Sequence, residues 1–128
     1  MTKSGLMACV ILTFMAAAPA CADGDVTAGK IVYRKCMACH AAEKQQNKVG
    51  PHLVGIVGRK AGTAEGFKYS EAMSAKGAEG LVWDEANVTA YLKDPKGFIP
   101  GTKMAFAGLK DDQQIADLIA YLEADPKP

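Results

Sequence analysis

The stretch "RKCMACHAA", residues 34–42, places Cys36, Cys39 and His40 within five consecutive residues. Thiol and imidazole groups so close together can serve four purposes: a disulfide, a zinc site, a redox-active dithiol or the covalent attachment of haem. The rest of the chain has to discriminate among them.

The N-terminus has the pattern of an export signal. A basic residue precedes an apolar stretch from Leu6 to Met15, and Ala20-Cys21-Ala22 then forms an A-x-A cleavage site ahead of a polar segment. We therefore expect residues 1–22 to be a cleaved signal peptide and residues 23–128 to form the mature domain in the periplasm. A transmembrane anchor is disfavoured, because the apolar run is too short to cross a bilayer before Pro19. A lipoprotein signal acylated at Cys21 is a third reading.

Cleavage would change the cysteine count and the charge. Cys9 and Cys21 would leave with the signal, so that only Cys36 and Cys39 of the four cysteines remain. Loss of Lys3 lowers Lys and Arg from 15 to 14, against 14 Asp and Glu, which makes the mature protein about neutral. Nucleic acid is therefore not the expected partner, since it favours strongly basic domains. The length fits one domain.

Four segments have helical character and none reads as a strand. Capping residues mark two of the starts, and in the last segment Ile115, Leu118, Ile119 and Leu122 recur at helical spacing. The predicted helices are Val26–Ala38, Ser70–Lys76, an Asp84-capped helix ending at Lys93, and a helix that begins with an Asp111/Gln114 capping box.

Two long irregular stretches, 41–66 and 94–108, separate these helices. Loops of this length are uncommon in small domains unless they are functional. Four short helices bury little surface, and a domain of this size needs additional stabilisation. We predict an all-α fold whose loops wrap around a large apolar cofactor.

Two of the readings of the cysteine cluster fit poorly. A thioredoxin-type dithiol belongs near a βαβ unit, whereas Cys36 and Cys39 close a predicted helix. A structural zinc site needs four ligands, and only His52 remains to complete the set.

Cys-x-x-Cys followed directly by His is the attachment signature of c-type haem. Cysteines three residues apart on a helix face the same side, so both can form thioethers with the two vinyl groups of one porphyrin. His40 then lies beneath the ring, where it can coordinate iron. Export also agrees, because this attachment proceeds outside the cytoplasm. We predict one covalent haem c.

The sixth ligand of the iron is predicted to be Met104. It lies in "IPGTKMAF", residues 99–106, a loop shaped by Pro100 and Gly101. Met37 lies inside the attachment loop and cannot reach the opposite face, and we expect Met73 to be a helix residue in the core or on the surface. His52 is expected to be a solvent-exposed loop residue. His/Met ligation raises the reduction potential and is typical of electron carriers.

The mature chain resembles the class I cytochromes c, specifically the soluble bacterial carriers related to mitochondrial cytochrome c. The similarity runs from "AGKIVYRKCMACH" through "VGPHLVGIVGRKAG", "GFKYS", "LVW" and "YLKDPKGFIPGTKMAF" to "DLIAYLEA". It implies the class I fold of four to five short helices with long loops around one haem. It also implies a soluble one-electron carrier that is not an enzyme.

The resemblance implies roles for individual residues. Cys36 and Cys39 match the thioether cysteines, and His40 and Met104 match the axial ligands. Pro51 matches the proline whose carbonyl accepts the proximal histidine N–H. The other implied roles are propionate contacts for Arg59, Tyr69, Trp83 and Thr102, a bond from Tyr91 to the methionine sulfur, and a close helix crossing at Gly29 near Tyr121.

The chain departs from the mitochondrial type in two places. The segment between Tyr69 and Trp83 is longer, and Met73 stands where an asparagine is familiar.

Partners are expected to be redox proteins that dock at the haem edge. The expected donors and acceptors are a cytochrome bc complex, a terminal oxidase, a photosynthetic reaction centre or a periplasmic dehydrogenase. The protein itself is expected to be a soluble monomer without stable membrane insertion. The lysines that the resemblance places around this haem edge are Lys35, Lys96, Lys103 and Lys110.

Two alternative functions stay open: a haem enzyme or gas sensor with an open sixth site, and a colourless thiol oxidoreductase.

Overall fold

The computed structural model describes residues 23–128, so the segment predicted to be a signal peptide, residues 1–22, lies outside the described residues. Within them the chain forms five helices, and the only β pairing is an isolated bridge between Lys60 and Val82. The all-α prediction is confirmed. The helices are α1 Val26–Tyr33, α2 Glu71–Ala78, α3 Glu85–Lys93, α4 Pro95–Phe98 and α5 Asp112–Glu123.

Side-chain caps define the helix starts. The carboxylate of Asp84 accepts the N–H of Asn87 at 2.8 Å, and that of Asp111 accepts the N–H of Gln114 at 3.0 Å. Such a cap contributes about 1 kcal/mol by occupying a backbone donor that the helix leaves free. The starts predicted at these two residues are confirmed. Asp25 and Ser70 cap α1 and α2 in the same way.

The first helix is shorter than predicted, since it ends at Tyr33 and not at Ala38. Beyond it the amides of Lys35 and Cys36 donate to the carbonyls of Val32 and Tyr33, at 3.0 and 2.7 Å. These bonds join residues three apart, so the chain tightens from an α-helix into successive turns. The cysteine pair therefore lies in turns that follow α1.

The stretch 94–108, predicted to be irregular, contains the one-turn helix α4. Pro95 occupies its first turn, where a missing N–H costs nothing, and the Asp94 side chain accepts the N–H of Gly97 at 3.0 Å. The motif is too short to show an apolar periodicity, which is why the sequence did not reveal it.

The first and last helices, α1 and α5, pack against each other. At the crossing, a Cβ atom added to Gly29 would overlap the carbonyl oxygen of Asp117 and would lie 2.8 Å from Cβ of Tyr121. The rings of Tyr33 and Tyr121 are 5.2 Å apart, and Asp117 Oδ1 accepts the amide of Asp25 at 2.8 Å. The close crossing predicted at Gly29 is confirmed. The four apolar residues predicted for α5, Ile115, Leu118, Ile119 and Leu122, are all buried.

The first long loop is tied to the connection between α2 and α3. The Gly58 amide donates to the Trp83 carbonyl at 2.7 Å, and the Trp83 amide donates to the Arg59 carbonyl at 2.8 Å. These bonds bring Trp83 and Arg59, which are far apart in sequence, to the same side of the domain. Over residues 23–128, no helix has the length and apolarity to cross a membrane.

Candidate functional site

The attachment turns hold Cys36 and Cys39 on one side of the chain. The amides of Cys39 and His40 both donate to the Cys36 carbonyl, at 3.1 and 2.9 Å. Side chains three residues apart are eclipsed in turns of this kind. Cys36 is half-buried, Cys39 is exposed, and neither forms a disulfide within the part of the chain that the structure describes. Burial raises the pKa of the Cys36 thiol.

The His40 ring is oriented by a backbone carbonyl. Its Nδ1 lies 2.7 Å from the Pro51 carbonyl oxygen, a contact that requires the proton to be on Nδ1 and leaves Nε2 as the free acceptor. Burial lowers the pKa of the imidazole, although the Pro51 carbonyl opposes that shift. The neutral ring with a free Nε2 is the form that ligates a metal, and a carbonyl on the other nitrogen fixes its orientation.

Two further residues support this ring and were not singled out in the sequence. A Cβ atom at Gly50 would lie 2.7 Å from Nδ1 of His40, so a side chain there would displace the imidazole. The Gly50 amide also donates to the Cys39 carbonyl at 2.8 Å, and the Tyr33 hydroxyl donates to the His40 carbonyl at 2.6 Å. The sequence feature that could have indicated Gly50 is its position directly before Pro51.

The Arg59 guanidinium is partly anchored and partly free. Its Nη1 donates to the Val54 carbonyl at 3.2 Å and its Nη2 to the His52 carbonyl at 2.9 Å. Its Nε is buried and has no hydrogen-bond partner within residues 23–128. A buried donor without a partner is costly, so an acceptor such as a carboxylate of a bound group fits here.

Of the three aromatic residues predicted for the site, Trp83 and Tyr91 contact each other, whereas Tyr69 contacts the first loop. The Trp83 ring, which is buried, lies 5.0 Å from the Tyr91 ring. The hydroxyl oxygens of Tyr91 and Thr102 are 2.7 Å apart, which couples two residues for which separate roles were predicted. The Tyr69 hydroxyl accepts the N–H of Ala64 at 2.9 Å.

The methionines differ in their surroundings. Met104 is half-buried in the loop after α4, which turns at Gly101 with φ of 90°. Met37 is 52% exposed within the attachment turns, and Met73 belongs to the buried core. Of the three methionines in the described residues, Met104 is therefore the one whose thioether is neither exposed to solvent nor part of the core.

His52 was predicted to be solvent-exposed, and this is wrong. It is half-buried: its amide donates to Asn47 Oδ1 at 3.1 Å, and its Nδ1 accepts the amide of Val54 at 3.2 Å. Local sequence gave no sign of these bonds, because they depend on how the loop folds back on itself.

A haem c fits these residues. Two cysteines, a neutral imidazole with a free nitrogen and a buried guanidinium N–H without a partner in the described residues are groups that could attach a haem, ligate its iron and bind one of its carboxylates. Apolar side chains that are only partly buried also pack against the core, and a flat apolar group placed against them could complete their burial. These include Leu53, Val57, Tyr69, Tyr91, Leu92, Phe98 and Phe106. Within residues 23–128 no group of three or more His, Cys, Asp or Glu side chains is arranged to hold a metal ion directly.

An all-α domain with this attachment sequence and these surroundings defines a c-type haem protein, and comparisons with known proteins agree. The sequence model of the cytochrome c family matches residues 26–124. A cytochrome c-550 of Nitrobacter winogradskyi is 50% identical over 100 residues, which make up 77% of this chain and 89% of that protein. A cytochrome c2 iso-2 of Magnetospirillum fulvum is 54% identical over 89 residues, 70% of this chain and 90% of that protein.

Solved structures agree as well. The cytochrome c2 of Rhodospirillum centenum aligns with a TM-score of 0.75 at 41% identity, covering 82% of this chain and 100% of that one. The chain belongs to the cytochrome c family. Within the family it is similar to the bacterial class I cytochromes c2 and c-550, and its cofactor is one covalent haem c.

The lysines predicted for the docking ring are all exposed, but they are not equivalent. The Lys110 ammonium donates to the Lys93 carbonyl at 2.7 Å, and Lys93 itself pairs with Asp112 at 2.7 Å. Lys48, which was not predicted, donates to the Met37 carbonyl at 2.6 Å and holds its loop against the attachment turns. Lys35, Lys96 and Lys103 have no such contact among the hydrogen bonds of the described residues.

Proposed function

We propose that this protein is a soluble periplasmic one-electron carrier in which Cys36 and Cys39 hold one haem c and His40 and Met104 are the axial ligands. The relatives that carry the argument are the cytochromes c2 and c-550 at about half identity. The single observation in the molecule that supports it best is the contact between His40 Nδ1 and the Pro51 carbonyl at 2.7 Å, which leaves Nε2 as the ligating atom.

The bound haem supplies reversible one-electron chemistry at its iron. The chain's own part is to hold that group still and to keep its ligands in both oxidation states. Pro51 and Gly50 fix the His40 ring from behind, and Arg59 offers its unpartnered Nε–H to a propionate. Partly covered apolar side chains exclude water, which lowers the local dielectric and tunes the potential.

The pair formed by Tyr91 and Thr102 serves the distal side. If Thr102 donates to Tyr91, the phenolic hydrogen of Tyr91 is free for another acceptor, and the Met104 sulfur is the acceptor that we propose. Burial raises the pKa of Tyr91, so the phenol keeps its proton at neutral pH. Trp83 and Tyr69 are proposed to line the propionate side with Arg59.

Partners are proposed to be membrane or periplasmic redox proteins: a cytochrome bc complex, an oxidase, a reaction centre or a dehydrogenase. Docking would use the exposed lysines around the haem edge, Lys35, Lys96, Lys103 and Lys110. Positive side chains steer an acidic partner and make association salt-dependent. With residues 1–22 removed as a signal peptide, the carrier would act as a monomer without an enzymatic step.

Voltammetry of the protein purified from a periplasmic fraction, together with its visible spectrum, tests this function. We expect one reversible one-electron wave and a weak absorption band at the red edge of the visible spectrum, which reports iron–methionine bonding. Absence of that band with rapid binding of added cyanide or carbon monoxide at neutral pH would favour an open-site haem enzyme. A colourless protein with free thiols would favour a thiol oxidoreductase.

A further inference from the structure

His52 lies in a hydrogen-bond network that the proposed function leaves unused. Its backbone carbonyl accepts from Arg59 Nη2 at 2.9 Å, and its Nδ1 lies 3.4 Å from Arg59 Nη1. The Val54 amide donates to the same Nδ1 at 3.2 Å. His52 therefore contacts the Arg59 guanidinium at two points, one at its backbone carbonyl and one at its ring.

The ring is held in its neutral form by these contacts. Because Val54 N–H donates to Nδ1, that nitrogen is an acceptor and the proton of the neutral ring is on Nε2. Asn47 fixes the loop from the other side, accepting the His52 amide at 3.1 Å and donating to the Glu65 carbonyl at 2.8 Å. The position of the ring is thus set by the loop.

Protonation of Nδ1 would have two local effects. It would remove the acceptor of the Val54 amide, and it would place a second positive charge beside Arg59, 3.4 Å from Nη1. Burial, followed by the charge of Arg59, lowers the pKa of His52 below its ordinary value. We therefore expect His52 to be protonated under mildly acidic conditions.

We propose that His52 is a positioning residue for Arg59 and that its protonation couples proton uptake to reduction of the haem. This inference rests on the proposed function. The electron comes from the redox partner, and the only bond formed or broken in the protein is the N–H bond at His52 Nδ1. Reduction removes one positive charge from the iron, so an added proton is more stable in the reduced protein. The pKa of His52 is then higher in the reduced form than in the oxidised form.

The other titratable groups near His52 and Arg59 do not account for the proton uptake proposed for His52. The Tyr69 phenol acts on Arg59, whose own pKa is lowered chiefly by burial, and Arg59 stays charged throughout the acidic range. Glu65 enters through its backbone carbonyl only. When haem is bound, the propionate that Arg59 contacts is the remaining titratable group.

The test combines two measurements on the haem-loaded protein. Because the sequence has two histidines and one is the proposed ligand, His52 gives the only freely titrating imidazole signal in NMR. We expect its pKa to be higher in the reduced than in the oxidised protein. We also expect the reduction potential to rise as the pH falls between these two pKa values, and His52→Asn to flatten this step.

Asn is the matched substitution because its Oδ1 can accept the Val54 amide without titrating. The control Lys44→Gln removes an exposed charge from the preceding loop and should keep the step. Equal His52 pKa values in the two oxidation states, or potential–pH curves that coincide for His52→Asn and the parent, would overturn the inference while leaving a working carrier. Should the NMR pKa values differ, the inference stands even if the variant folds poorly. A protein without redox-active haem would refute the proposed function together with the inference.

Discussion

At the scale of single residues, the site is built from side chains that the backbone orients. The His40 ring contacts the Pro51 carbonyl through Nδ1 and packs against Gly50, which has no side chain to displace it. Arg59 is anchored through its terminal nitrogens and keeps Nε for a ligand. Among the hydrogen bonds of the described residues none supports the Met104 side chain, so the iron bond that we propose for it would depend on the loop that carries it.

Replacing Met104 by Ala should therefore remove the sixth ligand without unfolding the domain. We expect loss of the absorption band at the red edge of the spectrum and a lower reduction potential, because the thioether favours the reduced iron. Met37→Ala is the control, since Met37 is exposed and lies in the attachment turns. Retention of the band in Met104→Ala, or its loss in Met37→Ala, would contradict the assignment.

Tyr33 predicts an alkaline change in stability. Burial raises its pKa from 10.0 to about 12, and its hydroxyl donates to the His40 carbonyl at 2.6 Å. The unfolded chain loses this proton first, so the stabilising contribution is complete below pH 10 and is lost as pH rises through about 12. Tyr33→Phe should be less stable by about 1 kcal/mol at neutral pH.

The difference in unfolding free energy between the parent and Tyr33→Phe should shrink over that alkaline range. Denaturant titrations of both proteins at a series of pH values measure it. A difference that is the same at neutral pH and at pH 12 would show that Tyr33 does not titrate with this shift.

At the scale of helices and loops, the crossing of α1 and α5 closes the fold. Gly29 is the point of closest approach, and a side chain there would overlap the Asp117 carbonyl. Gly29→Val should therefore destabilise the protein by at least about 1–3 kcal/mol, the usual range for overpacking. The midpoint of chemical unfolding measures this cost. Thr27→Val introduces the same side chain at an exposed position of α1 and should shift the midpoint little.

The same elements show what the sequence could reveal. Asp84 and Asp111 predicted their helix starts because a cap acts within four residues, and the apolar spacing of α5 predicted its buried face. The end of α1 was missed because the change to tighter turns leaves no mark in the apolar pattern. The contact between His52 and Arg59 was missed because it depends on the path of a loop.

At the scale of the whole molecule, residues 23–128 carry 14 Lys and Arg against 14 Asp and Glu, so docking depends on where the charges lie and not on the net charge. Replacing Lys35, Lys96 and Lys103 together by Gln should slow electron transfer to an acidic partner and weaken its dependence on ionic strength. Stopped-flow rates at several salt concentrations measure both effects. The control replaces three exposed or half-exposed lysines elsewhere, Lys30, Lys68 and Lys76, by Gln. Equal slowing by both triple variants would show that the rate depends on the net charge of the protein and not on the lysines around the haem edge.

Every property proposed for the site depends on one haem that is covalently held by Cys36 and Cys39. The most direct measurement is the intact mass of the denatured, purified protein, followed by the mass of the proteolytic peptide that contains residues 36–40. We expect the mass of the polypeptide plus one haem, with the added mass confined to that peptide and retained after acid extraction. A mass equal to that of the polypeptide alone would contradict it.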